Sequence, residues 1–281
     1  NTESYILSQS FAADSSETSN FRSVLVDSEK INCKVFEQLA FTNEFFQMEH
    51  TIINKKDPRF FDQKMDQARM TEWGSFQDFG VFGDFLDSRT LDFSVKILNP
   101  VIVHSIKNIH TETEKWKCRL AIDGSRLHGM QSNPVVPLTH EVRRILTYLA
   151  LRSDLKLGTA DAKNGYLQAP RSTNSEKIFM RIPDWVPNPK GIQNRVAEIH
   201  KAVYGLPDSG REFQTYVSSI LRKLSFSEMK NFPGVFKRTK KDGSVEYVGV
   251  YVDDLYLCGK DINALAAEIH SGGLLLGQVD E

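Results

Sequence analysis

The pair Asp253-Asp254 constrains this chain more than any other feature, because it separates two runs, Val245–Val252 and Leu255–Cys258, dominated by β-branched, aromatic and aliphatic residues. Such runs form strands that bury at least one face. Holding two adjacent carboxylates beside them, away from water, is costly unless a cation neutralises them. The most economical local solution is a tight hairpin with Asp253-Asp254 as its turn, since Asp tolerates turn backbone better than most residues. A third acid, Asp161, follows the strand-like run Leu155–Ala160. A lone Asp there is ordinarily a turn residue, but three carboxylates brought to one spot would suit Mg²⁺, a hard ion that takes oxygen ligands, with Mn²⁺ as a substitute. Two such ions about 4 Å apart can activate an attacking hydroxyl and stabilise a pyrophosphate leaving group.

Composition narrows the alternatives. The 281 residues include 35 Lys and Arg against 36 Asp and Glu, a net charge of −1, so nucleic acid could be held only by a local basic channel. No apolar run approaches the roughly 20 residues that span a bilayer, and no membrane partner is expected. The three cysteines, Cys33, Cys118 and Cys258, are far apart and form no CxxC pair, which fits a reducing, intracellular compartment. The seven histidines form no HxH or HxxxH pair, and the phosphate-cradling GxGxxG and GxxxxGK[ST] loops and the GxSxG elbow are absent from the sequence. The chain begins at Asn1 with no signal segment, as a fragment or processed product would.

Hydrophobic patterning gives the expected elements. Residues 1–30 read as a polar extension or linker, with helices over 35–48 and 61–76. Ser94–Ile106 and Trp116–Ile122 should form a β-hairpin with a charged tip at 107–115. Thr139 is placed to cap a helix carrying Val142, Ile145, Leu146 and Leu149. Lys177–Ile182 and Arg195–His200 read as strands, and Ser209 with Glu212 has capping-box spacing before a helix carrying Phe213, Val217, Ile220, Leu221 and Leu224. Without a repeated βαβ rhythm, the class is α+β. Basic groups fall near the first hairpin (Lys107, Lys115, Lys117, Arg119, Arg126) and later in the chain (Arg222, Lys223, Lys230, Lys237, Arg238, Lys240, Lys241). A charge run is by default a solvated face, and Lys237–Lys241 before Asp242-Gly243 reads as a hairpin tip. Tracking of a phosphate backbone would make binding steeply salt-dependent.

Five segments then carry a resemblance in their order along the chain: Lys115–Leu120, Asp161–Leu167, Lys177–Pro183, Lys201–Leu206 and Tyr251–Asp254. Tyr-Val-Asp-Asp on a hairpin resembles the signature of reverse transcriptases, and the ordered set looks like the copia-type branch of long-terminal-repeat retrotransposon polyproteins. The resemblance implies a right-hand polymerase fold, with fingers over 31–137 and 170–207 and an antiparallel palm over 138–169 and 208–281. It implies that Asp161, Asp253 and Asp254 are catalytic and bind two Mg²⁺ ions, with Asp161 and Asp253 contacting both and Asp254 assisting. Lys117 and Arg119, on a mobile hairpin, would grip the triphosphate of the incoming deoxynucleotide; otherwise they are solvated charges on a strand edge. Tyr166 would lie under the sugar and exclude a ribose 2′-hydroxyl, or would simply be a core aromatic. Tyr251 would border the primer terminus, or pack on a helix beneath; Gly205 and Arg211 would lie on the primer–template side. The implied partners are an RNA or DNA template with its primer, deoxynucleoside triphosphates and other parts of the same polyprotein, within a cytoplasmic virus-like particle.

Two departures from the family pattern stand out. Asp208 occupies a position where relatives carry Gln against the incoming nucleotide; it would either repel the triphosphate or cap the helix that follows. Asp123 also stands where relatives often carry a basic or neutral residue. The chain ends 27 residues after Asp254, and its tail, His270–Gly277, is not expected to continue the palm. With no thumb, RNase H or integrase segment in view, the reading is a truncated copy, either an RNA-directed DNA polymerase domain or a silent remnant that only binds nucleic acid or protein.

Overall fold

The computed structural model describes residues 50–127, 138–172 and 176–280. The expected extension over 1–30 and helix over 35–48 lie outside them. The described chain divides into two units. The smaller comprises 50–53 and 105–116: strand β1 (His50–Ile53) and the far end of a hairpin whose arms are β4 (Pro100–Lys107) and β5 (Lys115–Ile122). Left-handed backbone at Asn108 and His110 closes the tip, where the Asn108 side-chain amide donates to Thr113 Oγ1 at 3.1 Å.

The larger unit, 54–104 and 117–280, contains two sheets. One has four strands, in the order β2 (Leu86–Asp87), β8 (Arg195–Glu198), β7 (Ile178–Arg181), β3 (Lys96–Leu98). Only its β3–β7 pair is parallel. Helix α1 (Gln63–Asp78) packs Trp73 and Phe76 into a core with Leu98, Leu120, Ile178 and Met180. Asp62 starts that helix by accepting from Lys64 N.

Near the middle of α1 the Arg69 side chain is buried, donating to His104 Nε2 at 3.0 Å and to the Phe60 carbonyl at 2.9 Å. Burial, helped by the Arg69 charge, holds the His104 imidazole down at about 4 instead of the usual 6.5. The unfolded chain therefore binds the extra proton first. The stabilisation is complete above pH 6.5 and should be lost as pH falls from 6.5 to about 4. The loss can reach about 3 kcal/mol if the whole depression acts on folding. Urea titrations across that range should show a decline that His104→Leu flattens.

The second sheet is antiparallel and six-stranded, in the order β13-β6-β12-β11-β10-β9. Its strands are β6 (Lys156–Ala162), β9 (Ser227–Glu228), β10 (Val235–Thr239), β11 (Val245–Tyr251), β12 (Asp254–Gly259) and β13 (Leu276–Asp280). Helix α4 (Ser209–Lys223) buries Phe213, Val217, Ile220 and Leu221 in the core that also takes Val248, Val250, Leu255 and Leu257. Helix α5 (Ile262–Ser271) completes it with Ile262, Leu265 and Ile269. Helix α2 (His140–Arg152), capped by Thr139, packs Leu146 in a separate core with Leu138 and Val235.

The tail does continue the sheet, against expectation. Strand β13 pairs with β6 through Leu276↔Ala162 and Val279↔Ala160. Short helix α3 (Gly165–Gln168) locks the join, since Gln168 accepts from Leu275 N at 2.8 Å and donates to its carbonyl at 3.0 Å. The apolar run Leu274-Leu275-Leu276 buries alternate side chains, which is what a strand over a core requires.

Arg238 closes the other end of the sheet. It donates to Glu246 and Glu268, each at 2.6 Å, and to the Leu224 carbonyl at 2.8 Å, with its guanidinium 4.4 Å from the Phe226 ring centroid. It is a buried tie between strands and helix ends, not part of a basic face. Lys240 also pairs with Glu246, and the turn Lys240–Ser244 is the expected hairpin tip.

Candidate active site

The hairpin that carries the acidic pair turns one residue earlier than its sequence suggests. Tyr251 pairs with Asp254, so the two central turn residues are Val252 and Asp253, not Asp253 and Asp254. Val252 has φ 51° while Asp253 is not left-handed, the pattern of a turn that normally takes Gly at its first central position. A β-branched residue held there stores strain, about 1–3 kcal/mol, of the kind that clusters at functional sites. The reason lies in the ladder on the other side. Strand β12 pairs with β6 in a continuous register from Gly259↔Lys156 to Asp254↔Asp161, which draws Asp254 into the strand.

That register makes Asp161 and Asp254 cross-strand partners. Asp161 is not at the end of its strand, because Ala162 continues it and donates to the Asp253 carbonyl at 2.7 Å. The Asp253 side chain is half-buried, and its Oδ1 atom is sealed from solvent without a hydrogen-bond partner. Gly165 supplies the room, since a Cβ there would stand 2.8 Å from that oxygen. Burial, then the charges of Asp161 and Asp254, raise the affinity of Asp253 for a proton; burial and Asp254 do the same to Asp161. Among the described residues no three acidic, histidine or cysteine side chains are gathered into a finished metal cage. The donor set nevertheless fits a hard divalent cation: carboxylate oxygens only, mutually repelling, one of them buried with an unused lone pair.

The counter-charge comes from β5. Lys117 offsets the raised proton affinity of Asp161, and Arg119 that of Asp253. The strand is clasped from two sides. Glu72 of α1 accepts from Leu120 N at 2.8 Å, and Ile122 N donates to the Tyr204 carbonyl at 2.8 Å. The Arg119 guanidinium lies 5.0 Å from the centroid of the Tyr204 ring, which in turn packs 4.9 Å from Tyr166. Gly205, with φ +94°, lets the chains meet, for a Cβ there would be 2.0 Å from the Ile122 carbonyl oxygen. Gly205→Ala should therefore cost about 2–3 kcal/mol, through both the left-handed backbone and the collision. A chemical denaturation midpoint that is unchanged in this variant would refute the clasp.

With this arrangement in view, comparison with known sequences is decisive: the profile of the family described as reverse transcriptase (RNA-dependent DNA polymerase) matches residues 91–269, well over half of the chain. The chain belongs to the reverse transcriptase family. The match spans Lys117, Arg119, Asp161, Asp253 and Asp254. Among curated relatives, the transposon Ty1-LR2 Gag-Pol polyprotein of Saccharomyces cerevisiae is 24% identical over 184 residues, which is 64% of this chain and 10% of the relative. The truncated transposon Ty1-A Gag-Pol polyprotein of the same yeast is 25% identical over 183 residues, 64% of this chain and 14% of the relative. The chain thus spans about a tenth of the length of most such relatives.

The other candidate site residues of this reverse transcriptase family member sort by their contacts. Tyr166 is half-buried, 5.9 Å from the Phe213 ring, and lines a small cleft with Gly210, Phe213, Gln214, Val250 and Val252. Tyr251 is exposed but carries the Arg143 guanidinium of α2 4.6 Å from its ring centroid, so it does pack on a helix. Arg211 is exposed on α4.

Asp208 sits at the N-terminal cap position of α4 without capping it: its side chain makes no cap hydrogen bond, and is buried 3.7 Å from Arg171 Nη2. The capping box fails as well. Ser209 Oγ bonds both the N–H and the carbonyl of Val203, and Glu212 accepts from Ser172 N. Tertiary partners outcompete the local cap because these side chains are buried between loops. Asp123 accepts from Ser125 N and Oγ at its own short turn.

Two contacts on β5 go beyond what the sequence reading named, those of Glu72 and Tyr204. Tyr204 stands in a segment that the family order singled out, whereas nothing in the helix around Glu72 distinguishes it from a solvated glutamate.

Burial pushes the thiols of Cys118 and Cys258 up, to about 12 and about 11, which makes both poor nucleophiles. No helix among the described residues is long and apolar enough to cross a membrane.

Proposed function

We propose that this chain is the RNA-directed DNA polymerase domain of a Ty1/copia-like retroelement, joining deoxynucleotides to a primer on an RNA or DNA template. The observation that carries this reading is the pairing of Asp161 with Asp254 across β6 and β12, with the half-buried Asp253 carboxylate beside them and two cations on β5 within electrostatic reach. In this reading 138–169 and 208–281 are the palm, and 31–137 and 170–207 the fingers.

Asp161, Asp253 and Asp254 would hold Mg²⁺, which when bound supplies the positive charge that activates the primer hydroxyl and stabilises the departing pyrophosphate. Lys117 and Arg119 hold the triphosphate, Arg by its paired N–H donors. Tyr166, packed against Tyr204 and Phe213, bounds a small cleft, and in this reading its ring is the group that would collide with a ribose 2′-hydroxyl. Most of the acceleration then comes from positioning and charge complementarity.

The competing reading, a silent remnant, drew support from Asp208. That support weakens because the Asp208 carboxylate is buried against Arg171. Primer extension on poly(rA)–oligo(dT) with Mg²⁺ and dTTP tests the proposal. Extension that Asp253→Asn removes is the expected result, and extension that is absent, or equal in the variant, overturns it.

A further inference from the structure

We infer that Glu72 and Tyr204 are positioning residues for nucleotide capture, presetting the Lys117–Arg119 segment of β5 so that its cations meet a triphosphate without first having to be ordered. The inference rests on the reading of Lys117 and Arg119 as triphosphate ligands, and goes beyond it by naming what holds them.

Glu72 and Tyr204 come from different elements and grip the same short stretch. Glu72 Oε1 takes the Leu120 N–H at 2.8 Å, and the Leu120 side chain is fully buried in the core under α1. Two residues on, the Tyr204 carbonyl takes the Ile122 N–H at 2.8 Å. Arg119 immediately precedes the first of these anchors, with its guanidinium 5.0 Å from the Tyr204 ring centroid. A purely structural Glu72 would need only to satisfy one N–H. Here its carboxylate also feels the charges of both Arg119 and Lys117, which offset part of the effect of its burial.

Two neighbouring cations repel each other and, unheld, sample many rotamers; ordering each at binding is unfavourable. A carboxylate behind the strand and an aromatic face beside it remove that cost beforehand. Tyr204 also touches Tyr166 at 4.9 Å, so the residue that presets Arg119 is the one that fixes the ring proposed to bound the sugar. One side chain therefore couples triphosphate grip to sugar selection.

The test measures the Kd of Mg·dTTP by calorimetry on the whole chain with primer–template bound, together with KM and kcat and a melting curve for each variant. Glu72→Leu should raise the Kd and KM for dTTP about tenfold, as loss of a charge-assisted hydrogen bond would. Glu72→Gln, which keeps an acceptor for Leu120 N–H and the side-chain shape, should raise them roughly two- to fivefold. Tyr204→Leu should raise them roughly three- to tenfold, and Tyr204→Phe, which keeps the ring, should restore them to within about twofold. In all four, kcat and template affinity should stay within about twofold, a split that general loosening of the fold would not give.

Arg119→Ala is the reference. If it weakens dTTP binding while Glu72→Gln and Tyr204→Leu do not, the positioning inference is wrong and the triphosphate reading stands. If Arg119→Ala leaves dTTP binding unchanged, or the unaltered chain does not bind Mg·dTTP, the triphosphate reading itself falls.

Discussion

Asp253→Asn is expected to lower primer extension by at least about 10²- to 10³-fold while making the metal-free protein more stable, by roughly 2–4 °C in melting temperature, the shift that 1 kcal/mol gives in a chain of this size. Both halves follow from one arrangement. The Asp253 carboxylate is half-buried, its Oδ1 has no hydrogen-bond partner, and its charge is opposed by burial and by Asp161 and Asp254. Removing that charge relieves the repulsion without changing the side-chain shape. An ion that binds the folded state alone raises its stability by mass action. Added Mg²⁺ should therefore raise the melting temperature of the unaltered chain and have much less effect on the Asn variant. A variant that melts lower than the parent without metal would show that Asp253 is held by ordinary hydrogen bonding and is not a waiting ligand.

The strained turn belongs to the same trade. Val252 stands in left-handed backbone where Gly would be relaxed, and it lines the cleft beside Tyr166 with its side chain. Structures keep such conformations where the surroundings over-determine them. Here the continuous β12–β6 register leaves the turn no other length. The side chain that strains the hairpin is also one that shapes the cleft, so relaxation by Gly would exchange cleft shape for stability.

Much of this was legible in the residues. The β-branched and aromatic run around Val248 and Val250 and the periodicity of Phe213, Val217, Ile220 and Leu221 reflect burial against the core, and both elements stand where patterning placed them. Thr139 caps α2 through its hydroxyl, as its residue type and position lead one to expect. The failures share a cause. Asp208, Ser209 and Glu212 have the chemistry of a helix start, yet their partners come from residues 171, 172 and 203, and no local rule sees across a fold. The turn at Val252-Asp253 is set by the neighbouring strand, which overrides the local preference for Asp-Asp. The tail follows the same rule, since Leu276–Asp280 becomes a strand only because β6 offers an open edge and Gln168 binds the preceding Leu275. The aspartate cluster could be inferred because its cost is intrinsic to adjacent charges. The grip of Glu72 on β5 could not, because a glutamate on a mixed helical face carries no mark of its partner.

Arg238→Met should destabilise the fold by about 3–5 kcal/mol, the usual penalty for leaving a buried charge without its partner. Glu246 is 1% exposed and would keep only Lys240, while Glu268 would lose the guanidinium that holds its carboxyl below the usual range. The single side chain joins four places: β10, where it originates, Glu246 on β11, Glu268 on α5 and the Leu224 carbonyl at the end of α4. Met keeps the apolar stem over Phe226, so the loss measures charge and hydrogen bonds more than packing. Pairing the change with Glu246→Leu should recover most of the stability, because removing both members of a buried pair takes away the desolvation cost along with the attraction. Equilibrium urea unfolding of the two single variants and the double variant gives the coupling directly. Additive losses would mean that Glu246 is satisfied by Lys240 alone. The tie lies at the end of the sheet away from Asp161 and Asp253. Below its melting transition the Arg238 variant should therefore bind Mg·dTTP as the parent does, which separates this structural cluster from the residues proposed to hold the nucleotide.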